Sequence, residues 1–199
     1  MVLKIDPSLM IYLARHGQTE FNRENRFCGA SDSPLTATGI EEAHRNGRVL
    51  REHLAKPADL RLVSSPLKRA VHTAAIIRTE LGRPELSIET DARLREIAFG
   101  AWEGLTVEEI KGRDPADWAR RVADRWHDAA PGGESYEAVA ARVGAWLAEA
   151  RGTLLVVTHG AVDRILRGLY AGLSPNEICA LPEPQDEIFL LKGGRISAL

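Results

Sequence analysis

The chain has 199 residues, 44 % of them apolar and 27 % charged, which suits one domain with a sizeable core. Its 26 Lys and Arg against 28 Asp and Glu give a net charge of −2, which argues against a general nucleic-acid binder. Two cysteines, Cys28 and Cys179, are too few for a disulfide scaffold, and no stretch reaches the ~18 apolar residues of a membrane span.

In chain order, residues 1–10 lack the pattern of a signal peptide. Residues 9–13 form a short apolar run, the mark of a strand covered on both faces, and lead into Arg15-His16-Gly17. Thr36 reads as the N-cap of a helix with Ile40, Ala43, Gly47, Leu50 and Leu54 on one face. Residues 60–63 read as a second strand, ending in Ser64-Ser65-Pro66. There Ser65 is read as the cap and Pro66 as the first residue of a helix whose stripe is Leu67, Ala70, Val71, Ala74 and Ile77, stopped by Gly82 and Pro84. From about residue 94 to 133 the rhythm breaks into short helical pieces with Trp102, Trp118 and Trp126, read as an excursion over one sheet edge. A helix over 134–150 carries Val139, Val143, Trp146 and Leu147. A third strand, 153–157, runs into Thr158-His159-Gly160 and a helix marked by Ile165, Leu166 and Leu169. Residues 187–191 and 195–199 flank Gly193-Gly194 as a hairpin, leaving an edge at which a homodimer can pair. The alternation predicts an α/β fold: a three-layer α/β/α sandwich with a mainly parallel sheet, one domain over 1–199 with a helical excursion around 97–133.

Two strands end in His-Gly, and in an open α/β sheet ligands bind beyond the carboxyl ends of the strands. His16 and His159 are therefore expected to face one crevice, with Gly17 and Gly160 allowing close backbone approach. Arg69 falls in a first helical turn, where a cation opposes the helix dipole unless an anion is bound there. Arg15 and Arg69 supply planar forks that match phosphate oxygens. Two fixed cations push an imidazole towards its neutral form, and a neutral imidazole nitrogen is a nucleophile. A phosphohistidine scheme follows, and it needs a general acid for the leaving oxygen; composition leaves Glu96 and Glu103 both open.

Arg15-His16-Gly17-Gln18-Thr19-Glu20-Phe21-Asn22 resembles the R-H-G-x-T-x-x-N signature of the histidine phosphatase superfamily, phosphoglycerate mutase-like branch. Asp32-Ser33-Pro34-Leu35-Thr36 with Gly39, Ser64-Ser65-Pro66-Leu67-Lys68-Arg69-Ala70 with Thr73-Ala74, Leu94-Arg95-Glu96 with Trp102-Glu103-Gly104, Gly132-Gly133-Glu134-Ser135 and Thr158-His159-Gly160 follow in that family's order. The region around residues 131–135 is similar to small phosphatases of the α-ribazole phosphatase type. The resemblance implies that His16 is the phosphorylated nucleophile, that Arg15, Arg69 and His159 complete the phosphate pocket, that Asn22 bonds a phosphate oxygen, and that Glu96 is the proton donor. Thr19, Ser65 and Gly160 would be minor contacts, and Glu103 a structural or rim carboxylate. Cys28 and the run Ala161-Val162-Asp163-Arg164 depart from the family pattern near the mouth, which concerns substrate identity.

The implied reaction is phosphomonoester hydrolysis of a small phosphorylated metabolite, releasing inorganic phosphate, with no metal, cofactor, nucleic acid or membrane, in the cytoplasm. The alternative is a phosphoglycerate mutase dependent on 2,3-bisphosphoglycerate, which the chain's length disfavours because such mutases are typically longer. A phosphate-recognition module lacks a reason to keep both His16 and Glu96. A metal site of His16, His159 and Glu96 would have Arg15 beside a ligand. His44, His53, His72 and His127 are read as non-catalytic, with Arg125 and His127 as candidates for the pocket mouth.

Overall fold

A computed structural model describes residues 3–54 and 59–199. Met1 and Val2, part of the segment read as lacking a leader pattern, and residues 55–58 lie outside the described residues.

The elements run β1 (Met10–Arg15), α1 (Glu20–Arg23), α2 (Ala37–His53), β2 (Arg61–Ser64), α3 (Lys68–Glu80), β3 (Ile88–Thr90), α4 (Val107–Arg113), α5 (Pro115–Ala123), α6 (Tyr136–Glu149), β4 (Thr153–Thr158), α7 (Gly160–Tyr170), α8 (Pro175–Ala180), β5 (Ile188–Lys192) and β6 (Arg195–Ala198). Single 3₁₀ turns form at Ala92–Leu94 and Gly100–Trp102. The six strands make one sheet in the order β3-β2-β4-β1-β5-β6. β3, β2, β4 and β1 are parallel, and β5 and β6 continue as an antiparallel edge. Each crossover between parallel neighbours needs a helix, and these cover both faces.

Strand alternation divides the core in two. Ile11, Leu13, Leu154 and Val156 pack with Val139, Val143 and Leu147 of α6 and Ile165 and Leu166 of α7. Tyr12, Ala14, Leu62, Leu155 and Val157 pack on the other face with Leu50 of α2 and Ala70, Ala74 and Ile77 of α3. Each of the Val, Leu and Ile side chains among them gains about 1.5–3 kcal/mol on full burial. The architecture is the three-layer α/β/α sandwich with a mainly parallel sheet. No helix among the described residues is long and apolar enough to cross a membrane.

Two local readings change. Ile40 is not part of the buried face of α2; it is 36 % exposed, while Gly39, Glu42 and Asn46 are buried. The Gly39 contact explains the shift: a Cβ there would lie 2.0 Å from the Gln18 carbonyl oxygen, so the start of α2 sits backbone to backbone on the loop after His16. Helix α3 begins with Leu67 as N-cap, not Ser65-Pro66, because its first amides are taken by a distant carboxylate described below. The excursion contains α4, α5 and both 3₁₀ turns. Phe99, Val107, Trp118, Arg121 and Arg125 line the cavity, so the excursion supplies one wall of it. Trp102 is fully buried there with Ile110 and Ala130, and its Nε1 donates to the Asp114 carboxylate at 2.9 Å.

Candidate active site

Strand register sets the floor. Arg15 of β1 is opposite Thr158 of β4, so His16 and His159 leave neighbouring parallel strands at one level. The His16 amide continues the ladder by donating to the Thr158 carbonyl at 2.9 Å, and the Ser65 amide donates to the Val157 carbonyl at 3.0 Å. The two imidazoles are buried with ring centroids 5.0 Å apart at 63°. His16 Nδ1 lies 2.8 Å from the Gly17 carbonyl oxygen, which can only accept, so Nδ1 carries the proton and Nε2 keeps its lone pair. Arg69 Nε–H points at that Nε2 from 3.3 Å. His159 Nε2 is 2.7 Å from Ser65 Oγ, and its Nδ1 is buried without a partner among the described residues. Burial first, then Arg69 and Arg15, push the His16 pKa well below 6.5, against the Gly17 hydrogen bond. Burial, His16, Arg69 and Arg15 do the same to His159.

The Arg69 side chain is inaccessible to solvent, and all five of its N–H groups are engaged. Nη1 donates to the Ser31 carbonyl at 2.7 Å and to Asp32 Oδ1 at 3.2 Å, and Nη2 to the carbonyls of Cys28 at 3.2 Å and Gly29 at 2.8 Å. Only Nε–H is turned towards His16. Asp32 also accepts from the amides of Lys68 at 2.8 Å and Arg69 at 3.4 Å. The anion expected at this helix start is thus the chain's own carboxylate, 36 residues back. Arg15 donates through Nη1 to the Glu183 carbonyl at 3.0 Å, while its Nε is buried without a partner among the described residues.

Above this floor opens a cavity of about 440 Å³. Glu96 lines it, accepting from its neighbour's Ile97 amide at 2.9 Å and from the Ala161 amide at 3.3 Å. Burial, then the Glu183 charge, raise the Glu96 pKa above 4.5, against the Ile97 amide, Arg15 and Arg69. Arg15, Asn22, Gly160 and Arg125 also line the cavity. Asn22 faces it, but its Oδ1 serves the Thr19 amide at 3.0 Å and the Thr19 hydroxyl at 2.9 Å. Thr19 is fully buried as the N-cap of α1, its hydroxyl accepting from the Asn22 amide. His127 is exposed and paired with Asp124 at 2.7 Å.

The geometry adds groups that the sequence did not single out. Glu183 lines the cavity and pairs with Arg164 at 3.1 Å, while the Tyr136 hydroxyl donates to it at 3.2 Å. Gln185 Nε2 donates to the His16 carbonyl at 2.7 Å. Both stand in a loop between α8 and β5 whose only sequence sign is Pro182-Glu183-Pro184. Asp163 is buried beneath, bonded to Arg167 at 2.7 Å, and burial raises its pKa to about 6 against the Arg167 charge. Among the described residues no group of three or more His, Cys, Asp and Glu side chains is placed to hold a metal ion.

This arrangement can hold an oxyanion against two neutral imidazoles and a guanidinium, with an acid on the wall. Comparison with known proteins gives the family. The profile of the Histidine phosphatase superfamily (branch 1) matches residues 11–191. A 2,3-bisphosphoglycerate-dependent phosphoglycerate mutase of Afipia carboxidovorans is 34 % identical over 180 residues, covering 85 % of this chain and 84 % of the mutase. The two are therefore nearly equal in length, and length does not separate hydrolase from mutase. A mycobacterial glucosyl-3-phosphoglycerate phosphatase with VO3 superposes with a TM-score of 0.75 at 30 % identity, over 96 % of each chain. The α-ribazole phosphatase of Shigella flexneri shares the fold, with a TM-score of 0.81 at 24 % identity over 96 % of this chain and 94 % of that one. Paired His-Gly strand ends, a fully bonded arginine and a sheet shared with these proteins lead to one assignment: the chain belongs to the histidine phosphatase superfamily, branch 1, with the phosphoglycerate mutase-like fold.

Proposed function

We propose that the chain hydrolyses phosphomonoesters through a phosphohistidine on His16. The observation that carries this reading is the unprotonated Nε2 of a buried His16, its proton held at Nδ1 by the Gly17 carbonyl and its lone pair met at 3.3 Å by the Arg69 Nε–H. Nε2 attacks phosphorus, the bond to the leaving oxygen breaks, and Glu96 gives that oxygen its proton. In the second half Glu96 takes a proton from water, the water oxygen bonds to phosphorus, and the N–P bond returns its electron pair to Nε2. Inorganic phosphate leaves. Arg15, His159 and Asn22 stabilise the charge on the equatorial oxygens, and Arg69, whose N–H groups are held by protein acceptors, adds its fixed positive charge beside them. The scheme uses no metal and no organic cofactor. Two free thiols, Cys28 and Cys179, suit the reducing cytoplasm as its place of action.

The leaving group occupies the cavity. Phe27, Phe99 and Trp118 give it an apolar side. Arg121, only 7 % exposed, lines the same space with no carboxylate within ion-pair distance among the described residues, its one hydrogen bond going to the Asp128 carbonyl at 3.0 Å. A buried unneutralised guanidinium favours a small phosphorylated metabolite with a second anionic group. That feature also keeps the mutase reading, in which 2,3-bisphosphoglycerate primes His16 and the phosphoryl group returns to another hydroxyl of a sugar acid. The names of the Afipia and mycobacterial relatives both point to phosphoglycerates.

The test is a phosphomonoester panel scored by kcat/KM with trapping of phosphoenzyme. His16→Ala is expected to abolish the phosphoenzyme and nearly all turnover; retention of either overturns the proposal. With 3-phosphoglycerate, isomerisation outrunning phosphate release on addition of 2,3-bisphosphoglycerate would establish the mutase instead.

A further inference from the structure

Arg69 owes its position to a loop, and the loop owes its shape to one carboxylate. The carbonyls of Cys28, Gly29 and Ser31 hold three of the Arg69 N–H groups. Carbonyls that point one way leave the amides of the same segment to point another, and these converge on Glu103. Gly29 and Ser31 donate to its Oε2 at 3.0 and 3.3 Å, Ala30 to its Oε1 at 3.0 Å, and the Ser31 hydroxyl adds a further bond to Oε2. The loop is pressed home: a Cβ on Gly29 would lie 2.2 Å from the Ile97 carbonyl oxygen and 2.5 Å from Glu103 Oε1.

Glu103 also grips the opposite wall. Its Oε1 accepts from the Phe99 amide at 2.9 Å, three residues beyond Glu96. One side chain thus accepts five hydrogen bonds, four from the segment that holds Arg69 and one from the segment that carries the acid. Both of its oxygens are taken by these protein donors, so it acts on the reaction through the groups it holds. Burial favours the neutral acid, but the bonds from Ser31, Phe99, Gly29 and Ala30 outweigh it and lower the pKa below 4.5. An ionised acceptor is what a fan of N–H donors needs.

We infer that Glu103 is a positioning residue: by bridging loop 28–31 to the segment after Glu96, its carboxylate fixes where the Arg69 guanidinium stands relative to the proton donor. This inference rests on the proposed function, since it assigns those two groups to the two ends of the scissile bond. Misplacement of reacting groups by about 1 Å costs on the order of 100-fold, so a tie between them is a lever on rate. Glu103→Gln puts an amide NH₂ among N–H donors and turns part of the fan away.

The experiment is a double-mutant cycle between Glu103→Gln and Arg69→Lys, read as kcat/KM on p-nitrophenyl phosphate and as inhibition by orthovanadate. Glu103→Gln alone is expected to lower kcat/KM by about 10- to 100-fold and to weaken vanadate in parallel. In the Arg69→Lys background the same change is expected to cost less than about twofold, because its route through Arg69 is already lost. Ser31→Ala, which removes one donor and leaves the backbone fan in place, gives a smaller loss with the same non-additivity, and serves if Glu103→Gln does not fold. Equal losses in both backgrounds, or unchanged vanadate inhibition, overturn the inference while wild-type turnover stands. A wild-type chain without turnover or vanadate binding overturns the proposed function and this inference with it.

Discussion

A neutral imidazole presents one lone pair, and the partner of its other nitrogen decides where. Here the Gly17 carbonyl fixes the Nδ1 proton of His16 and frees Nε2 for phosphorus. The acid works under opposite demands, since Glu96 must hold a proton at the pH where His16 has lost one. Burial moves the two in opposite directions, His16 below 6.5 and Glu96 above 4.5. The pH profile of kcat/KM is therefore expected to rise as His16 and the substrate phosphate, whose second ionisation lies near about 6, lose protons, and to fall as Glu96 loses its own. Glu96→Gln is expected to remove the alkaline fall, keep the acid limb, and slow alkyl phosphates by about 100- to 10,000-fold, with a smaller loss on p-nitrophenyl phosphate. An unchanged alkaline limb in that variant would assign the proton to another group.

At the scale of elements, strand ends aim the chemistry and helix starts brace it. The start of α3 is closed by Asp32, which also pairs with Arg69 at 3.2 Å. Asp32→Ala is expected to cost about 1 kcal/mol as a lost cap, read in the thermal midpoint, and to weaken vanadate inhibition as Arg69 loosens. The start of α2 is braced by Gly39 on the His16 loop, so Gly39→Ala, which overpacks that contact, is expected to destabilise by about 1–3 kcal/mol and to lower kcat. These braces show what a sequence can and cannot disclose. β1, β2 and β4 were legible because both faces are covered, which writes a continuous apolar run. β3 is three residues, Ile88-Glu89-Thr90, at an open edge, and α8 is six residues, so neither carries a periodic signal. The two histidines were legible as strand ends followed by glycine. Glu183, Gln185 and Arg121 were not, because a loop and a short helix reach the cavity by tertiary packing alone.

For the molecule as a whole, two neutral imidazoles beneath the sheet ends link folding to acidity. On unfolding, His16 and His159 return to about their ordinary 6.5, so below that value the unfolded chain takes protons the folded chain refuses. Their contribution is full above 6.5 and is lost as pH falls towards the lowered values. Asp163 acts in reverse: raised from 3.8 to about 6, it gains its proton first in the folded chain, so acidification between those values adds stability. The thermal midpoint measured from pH 7 to 5 is expected to fall less steeply in His159→Asn than in the wild type; a parallel slope would mean that the ring is not held neutral.

A register shared by β1 and β4 has one more consequence. Residues 16 and 159 meet only because Arg15 and Thr158 form the last rung of one ladder. Successive side chains of a strand point to opposite faces, so deleting one residue within β4 turns His159 away while leaving it in the chain. Deleting two restores its direction but draws it back by about 7 Å, beyond reach of a phosphoryl group on His16. The reading frame of a six-residue strand is therefore as strict a requirement for this chemistry as the histidine that follows it.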